Sequence, residues 1–440
     1  MKNRMIQSAL ATLFLMSGLV FAAENPPGKL PLTLEDCIKI ALQKNPLIRA
    51  SVEGIVAAQE SVDGARAPYY PELKATAGYS RWQSKAFLPE GLLPPTAPTV
   101  IGPTDDYKVQ GSARLLLYDG GERGARLKMS KSVAGMSEEN FNRTRQDVVL
   151  NVNEAFYRLS ASMELRNVAT QNLARAEQHL KMAKDRQSAG AVTETDVLRS
   201  KVAASEANLE LVRAESLIRI NMGNLNTVMG LPVESEISPL ADSSRQEAVA
   251  VPTSVSSLIS QAIMCRPEVR SAQKRVEVAR QAVSMAKSEY GPKVRAEGAY
   301  GLRDDSSDLE DKEYVAGVSL ELPLFSGFST KHKVAEKKAE LLKAEAEAEA
   351  VVQSIQQEVW VAKSRLQEAS ESVQAADVRV KDARESSRMV EERYKVGGCT
   401  VNDLMDAQTA LARAEAGFVE IQWNLRIARA VLDRAIGARE

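Results

Sequence analysis

The sequence predicts a mainly α-helical protein with a transmembrane β portion, and three observations carry that expectation. Two spans of about 70 residues, 120–189 and 326–396, contain no proline and keep helical periodicity. Four short segments alternate apolar and polar residues as two-faced strands do. The order helix, two strands, long helical hairpin occurs twice, so the chain is an internal two-fold repeat.

Residues 1–22 read as a secretory signal peptide. Lys2 and Arg4 give the basic start, Met5 to Val20 is mostly apolar, and cleavage is expected after Ala22 or Ala23. No cysteine follows directly, so a lipoprotein anchor is not supported. Beyond this segment no apolar run reaches the ~18 residues of a spanning helix. An exported chain of this kind is secreted, periplasmic, or in the outer membrane as a β-barrel.

Composition narrows the function. Lysine plus arginine number 57 against 58 aspartate plus glutamate, a balance without the basic excess that a nucleic-acid partner needs. Aromatic residues are 5% of the chain, few for a compact globular core. The two histidines, His179 and His332, lie amid charged helical residues and are expected on the surface. No Ser-His-Asp set, two-histidine metal pair or phosphate-cradling loop occurs, so neither an enzyme nor a cofactor is expected. Gly120-Gly121-Glu122-Arg123-Gly124 lacks dinucleotide-motif spacing and reads as a strand-to-helix turn. Cys37, Cys265 and Cys399 are too scattered for a disulfide framework. Cys37 is expected to be buried, and Cys399, after Gly397-Gly398, an exposed thiol.

The repeat sets the organisation. Asn45-Pro46 matches Arg266-Pro267, Tyr70-Pro71 matches Gly291-Pro292, and Tyr79 matches Tyr300, all at an offset of 221. Tyr107 and Tyr314, Gly120 and Gly327, Gly190 and Gly397, Asp196 and Asp403 match at 207. The offset changes once, between Tyr79 and Tyr107, so one loop there is longer in the first copy. The division expected is repeat 1 over 23–231, with helices in 33–66, strands 71–82 and 107–117, and a hairpin over 120–230. A Pro-, Ser- and acid-rich connecting segment follows over 232–257. Repeat 2 covers 258–440, with a helix at 258–289, strands 293–303 and 313–322, and a hairpin over 327–437.

In the second copy Ile355, Val359, Ala362, Leu366, Ala369, Val373, Ala376, Val380 and Ala383 alternate steps of four and three, a heptad seam. The first copy repeats it from Val148 to Ala183, with Ser162 in an alanine position and Arg166 as an interruption. About 70 residues make roughly 100 Å of helix, too long for one globular domain and suited to a bundle. The hairpins turn at Ala189-Gly190 and Val396-Gly397-Gly398, where glycine suits a left-handed helix end. Thr193 and Thr400 are placed to cap the returning helices.

In the strands, Leu73, Ala75, Ala77 and Tyr79 oppose Lys74, Thr76 and Gly78. Tyr107, Val109, Gly111, Ala113, Leu115 and Leu117 oppose Lys108, Gln110, Ser112 and Arg114. Val294 to Leu302 and Tyr314 to Leu322 alternate likewise. Each run is close to the ~9–11 residues of a tilted membrane strand. Four strands leave two unpaired edges, which lipid forbids, and cannot close alone. Two copies would give eight strands, and three would give twelve and leave a lumen. A small soluble sheet is the alternative. The proline-bearing loop from Gln83 to Asp106 is expected outside the barrel, and so is an acidic loop around Asp304 to Asp311.

Several motifs stand in order: Leu32-Thr-Leu-Glu-Asp-Cys-Ile, Leu117-Tyr-Asp-Gly-Gly121, Pro323-Leu-Phe-Ser-Gly327, Tyr394-Lys-Val-Gly397 and Asp403-Leu-Met-Asp406. With the duplication they resemble the TolC-type outer-membrane efflux family over essentially the whole mature chain. The resemblance implies a homotrimer with a twelve-stranded β-barrel in the outer membrane and an α-barrel of helical hairpins across the periplasm. It implies hairpin tips, here Ala189, Gly190, Val396, Gly397 and Gly398, that dock a periplasmic adaptor linked to an inner-membrane pump. Asp403 and Asp406 match acidic positions of the family's periplasmic aperture, and Asp196 and Tyr394 match its closing polar network. Cys399 departs from the pattern, since the prototype has an arginine there. The function implied is a passive export channel. An outer-membrane component of type I protein secretion and a non-pore coiled-coil scaffold are the alternatives.

Overall fold

The computed structural model describes residues 31–85, 100–239 and 254–438. The signal segment, the Pro89 to Pro98 part of the long loop and residues 240–253 lie outside the described residues. The elements run β1 (Pro31–Leu32), α1 (Leu34–Lys44), α2 (Pro46–Arg66), a 3-10 turn (Ala67–Tyr69), β2 (Glu72–Lys85) and β3 (Val100–Tyr118). Then come α3 (Glu122–Ser188), α4 (Glu194–Met229), β4 (Ser238–Pro239), α5 (Val255–Cys265) and α6 (Pro267–Ser288). β5 (Lys293–Asp304), β6 (Lys312–Glu321), α7 (Ser329–Lys395) and α8 (Val401–Ala435) complete them. The chain forms two compact units, to both of which the long helices α3 and α7 contribute.

The strand unit comprises residues 44–150, 249–375 and 424–440. Its sheet is antiparallel in the order β2-β3-β5-β6, so the two copies meet at the β3–β5 pair. The register brings the apolar positions onto one face. Tyr79 pairs with Tyr107, Ala77 with Val109 and Ala75 with Gly111. Gly111 pairs in turn with Tyr300, and Leu115 with Ala296. Tyr300 pairs with Tyr314, and Val294 with Leu320. A slip of one residue at any pair would mix the faces. Among the described residues nothing in the unit covers this apolar face: Leu73, Tyr314, Val318 and Leu320 are each more than two-thirds exposed.

Three expectations change in detail. β2 and β3 are longer than the alternation indicated, because Ser84–Ile101 and Lys85–Val100 continue the ladder past an irregularity after Trp82. Pro103, expected in a loop, lies within β3 opposite that irregularity, where its missing N–H breaks no ladder bond. The helices expected in 33–66 divide at Pro46, which cannot donate to a preceding turn, and Asn45 Oδ1 caps α2 by accepting from Leu47 N at 2.8 Å. The single helix expected at 258–289 is the expectation that changes: Pro267 divides it between α5 and α6 in the same way.

The turn into α3 depends on one glycine and one carboxylate. Gly120 takes φ +70°, and a Cβ there would lie 2.7 Å from Ser288 O. Asp119 accepts from Gly121 N at 3.1 Å and Arg123 N at 2.8 Å, capping the helix. Arg123 turns back to the carbonyls of Leu116 (2.6 Å), Leu117 (3.0 Å) and Pro68 (3.2 Å), tying strand end to helix start.

The heptad seam is buried. Ile355, Val359, Ala362 and Leu366 pack with Leu258, Ala262, Val269, Leu432, Ala435 and Ile436 in one cluster. Beside it Arg266 reaches Glu268 and Glu358, while Arg434 binds Glu268 at 2.7 Å and Asp147 at 2.7 Å. Burial alone would raise the Glu268 pKa, but the hydrogen bonds from Arg266 and Arg434 hold it down at about 2.

The hairpin unit comprises residues 1–43, 151–248 and 376–423. Val152, Ala155, Leu159, Ala176 and Ala183 of the first-copy seam are buried in it. Ser162 is buried too, its hydroxyl donating to Leu159 O at 2.7 Å, and the interrupting Arg166 points outward to Asn167 Oδ1. α1 starts with a reciprocal cap between Thr33 and Asp36. Cys37 is fully buried, and burial raises its thiol pKa to about 11, so it is an inert core residue. In the connecting segment β4 pairs in parallel with β1, and buried Asn226 donates to the carbonyls of Val233 and Ser235.

Two outcomes follow for stability. Glu268→Gln loses roughly 3 kcal/mol at neutral pH, read as a lower denaturant midpoint. Because the folded pKa is depressed from 4.5 to about 2, that difference is present above about pH 4.5 and vanishes as pH falls through about 2. At Gly301 a Cβ would lie 2.3 Å from Val109 O, whereas at Gly317 nothing is within 4 Å. Gly301→Val therefore disrupts the β3–β5 pairing and lowers the thermal unfolding midpoint, whereas Gly317→Val leaves it unchanged.

Candidate functional site

The ends of the two hairpins, both in the hairpin unit, are built alike because their sequences repeat. At the end of α3, Gly190 takes φ +74°, with Gly190 N donating to Gln187 O at 2.8 Å and Ala191 N to Arg186 O at 2.9 Å. At the end of α7, Gly397 takes φ +79°, with Gly397 N donating to Tyr394 O at 3.0 Å and Gly398 N to Arg393 O at 2.8 Å. Both are left-handed closures that satisfy the last helix carbonyls. Ala189, Gly190, Val396, Gly397 and Gly398 are all exposed, Val396 by 83%.

The returning helices open on matching capping boxes. Thr193 Oγ1 accepts from Asp196 N while Asp196 Oδ2 accepts from Thr193 N at 3.0 Å and its hydroxyl at 2.8 Å. Thr400 and Asp403 repeat this at 2.8 and 2.7 Å. Hydrogen bonds from the threonine side chain, then its backbone, hold both carboxyls below the ordinary aspartate pKa. Asp196 and Asp403 are thus helix caps, whatever else they do. Asp403 and Asp406 are exposed near the start of α8.

Tyr394 is 3% exposed, and burial raises its phenol pKa. Asp196 lies within electrostatic reach of it but spends its hydrogen bonds on Thr193. The group that holds Tyr394 is Arg186. Its guanidinium lies 4.7 Å from the ring centroid, and Nη1 donates to Tyr394 O at 2.5 Å. Arg199 makes a second link between the hairpin ends, Nη1 to Asn402 Oδ1 at 3.1 Å. Neither arginine was singled out from the sequence. The signal for Arg186 was the repeat itself, since Arg393 stands 207 residues on and serves its own turn by donating to Gly398 O.

Two expectations are corrected here. Cys399 is half-buried rather than an exposed thiol: Sγ donates to Val390 O at 3.4 Å, and the side chain packs against the cluster of Tyr394, Val401 and Leu404. Glycines before it let the turn fold the thiol inward. His179 is buried, 8% exposed, because its position falls on the packed side of α3 despite its charged neighbours in sequence. His332 is exposed as expected.

Among the described residues no cluster of metal-ligating side chains occurs, and no helix is long and apolar enough to cross a membrane. The chain matches the sequence model described as outer membrane efflux protein over residues 37–231 and 258–438. It is 25% identical over 325 residues to Protein CyaE of Bordetella pertussis, covering 72% of this chain and 65%, just under two thirds, of that protein. It is 22% identical over 435 residues to the outer membrane efflux protein BepC of Brucella suis, covering 97% of this chain and 90% of that one. The fold is that of the Campylobacter jejuni CmeC outer membrane channel, with a TM-score of 0.80 at 16% identity, covering 96% of this chain and 90% of that chain. The chain therefore belongs to the outer membrane efflux protein family and is an efflux-related channel protein of the outer membrane.

Proposed function

We propose that three copies close their sheets into a twelve-stranded barrel and that the assembly is the outer-membrane duct of a tripartite export system. The observation that carries this reading is the uncovered apolar face together with the two outer strands, β2 and β6. Among the described residues each pairs on one side only, and lipid tolerates neither open edge. Two copies would give a side-chain-filled barrel, so three is the smallest number that leaves a lumen for cargo.

In this reading the hairpin ends form the periplasmic aperture. Asp403 and Asp406, brought near the axis in three copies, make a ring that favours cations and repels itself. Asp196 and Tyr394 belong to the contacts that keep it shut, and Arg186 supplies the cation that Cys399 lacks. Ala189, Gly190, Val396, Gly397 and Gly398 are the surface offered to a periplasmic adaptor, and the energy comes from an inner-membrane pump. Multidrug efflux and type I protein secretion differ in that pump rather than in this chain.

Planar-bilayer recording tests the duct. Asp403→Asn with Asp406→Asn lowers the cation-over-anion permeability ratio several-fold, and absence of any conductance in all forms would sink the reading. Arg186→Ala removes about 1–2 kcal/mol of closing contacts, roughly a tenfold rise in open events. Photocrosslinking from position 396 should capture a periplasmic, membrane-anchored protein; capture of outer-membrane proteins alone would refute the docking role.

A further inference from the structure

Four helices of the hairpin unit, α3, α4, α7 and α8, enclose a small cavity beneath the hairpin ends. Its lining includes Ala176, His179, Ser200, Tyr394, Leu404 and Gln408. Its volume is about 10 Å³, close to the least space that accommodates the centre of one water molecule. Two buried polar atoms of the lining, His179 Nδ1 and Tyr394 Oη, lack a well-aligned hydrogen-bond partner, although the Arg186 guanidinium over the Tyr394 ring also acts on its hydroxyl. Both residues are more than nine-tenths buried. Poorly partnered polar atoms in such a place are costly, and a cavity of this size with several polar neighbours is the setting in which buried water is found. Ser200 Oγ donates to Asp196 O at 3.0 Å and keeps its acceptor lone pairs. Half-buried Gln408 adds an amide.

We infer that this cavity holds one water molecule bridging His179 Nδ1 and Tyr394 Oη, and that protonation of His179 breaks the bridge and releases the hairpin ends. The release rests on reading those ends as the aperture; the water site does not. With neutral imidazole, the Tyr394 hydroxyl donates to the water and the water donates to Nδ1. Protonation fills the Nδ1 lone pair, so the water can no longer donate to it and this bridge is lost, and it places a charge among Ala176, Ala203, Val401, Leu404 and Met405. The charged groups acting on His179 are Glu391 and Lys395 from α7 and Arg175 from its own helix. α4 lines the cavity with Ser200 and Ala203, and α8 with Val401, Leu404, Met405 and Gln408, none of them charged. Glu391 favours the imidazolium, while burial first, then Lys395 and Arg175, oppose it, and the pKa is held below the ordinary histidine value. A base with a depressed pKa binds its proton more readily once released from the fold. Acid therefore favours the released state, and neutral pH the packed one. The carboxyls of Asp196 and Asp403 titrate well below this window.

Two measurements on the assembled full-length protein test this. With ¹³C-labelled histidine only two imidazole signals arise, since the chain has two histidines, and His332→Gln assigns them. His179 is expected to titrate below about 6.5, with its midpoint rising in Tyr394→Phe, which removes one anchor of the water. A midpoint at or above about 6.5, or one unmoved by Tyr394→Phe, overturns the water bridge. In bilayer recordings, open events are expected to rise several-fold between about pH 7.5 and about pH 5.5. His179→Gln should abolish that rise, and Asp403→Asn with Asp406→Asn should leave it in place. A rise that survives His179→Gln overturns the switch. A protein that conducts at neither pH overturns the aperture reading instead, and the histidine titration then still decides the water site.

Discussion

The cross-strand register is the constraint on which the other features rest. Tyr79, Tyr107, Tyr300 and Tyr314 share one face with the alanines, valines and leucines because the pairs from β2 to β6 keep step between the irregularities at Trp82 and Leu116. A face so assembled and left open cannot face water at tolerable cost, and the helices of the chain are occupied elsewhere. Heptad seams commit α7 to α6 and α8, and they commit the second half of α3 to α4. That leaves the sheet uncovered among the described residues, which is what the proposed closure with other copies in lipid addresses.

The two copies are alike where backbone geometry matters and unlike where side-chain chemistry does. Helix ends, capping boxes and proline-started helices recur at a fixed offset. The buried ion cluster does not. Arg266, Glu268 and Glu358 correspond to Asn45, Leu47 and Asn151 in the first copy, where Asn45 caps α2 instead. Buried pairs of this kind contribute little net stability but penalise mispairing.

Much of the fold was legible because its signals are periodic. Alternation revealed the strands, four-three spacing the seam, and the offset of 207 the equivalence of the hairpins. The limits were local. The proline-started break at Arg266-Pro267 is absorbed into one expected helix, and strand ends past a bulge read as loop because Pro103 resembles a loop residue. At the hairpin ends, the threonine caps and glycine turns followed from spacing alone. Arg186 and the burial of His179 did not, since which face of a coiled-coil helix a polar residue occupies depends on how the partner helices lie. Cys399 misled for the same reason: two preceding glycines suggest exposure, yet they let the turn tuck the thiol against Val390.

The unequal hairpins of the sheet have a consequence for whatever lies outside the cell. β2 and β3 run for 14 and 19 residues, while β5 and β6 run for 12 and 10. At about 3.3 Å per residue, the first ribbon overtops the second by a few residues on each strand. If three copies close as proposed, the rim is scalloped, tall and low by turns, and a large body arriving from the medium touches three crests before it reaches the opening.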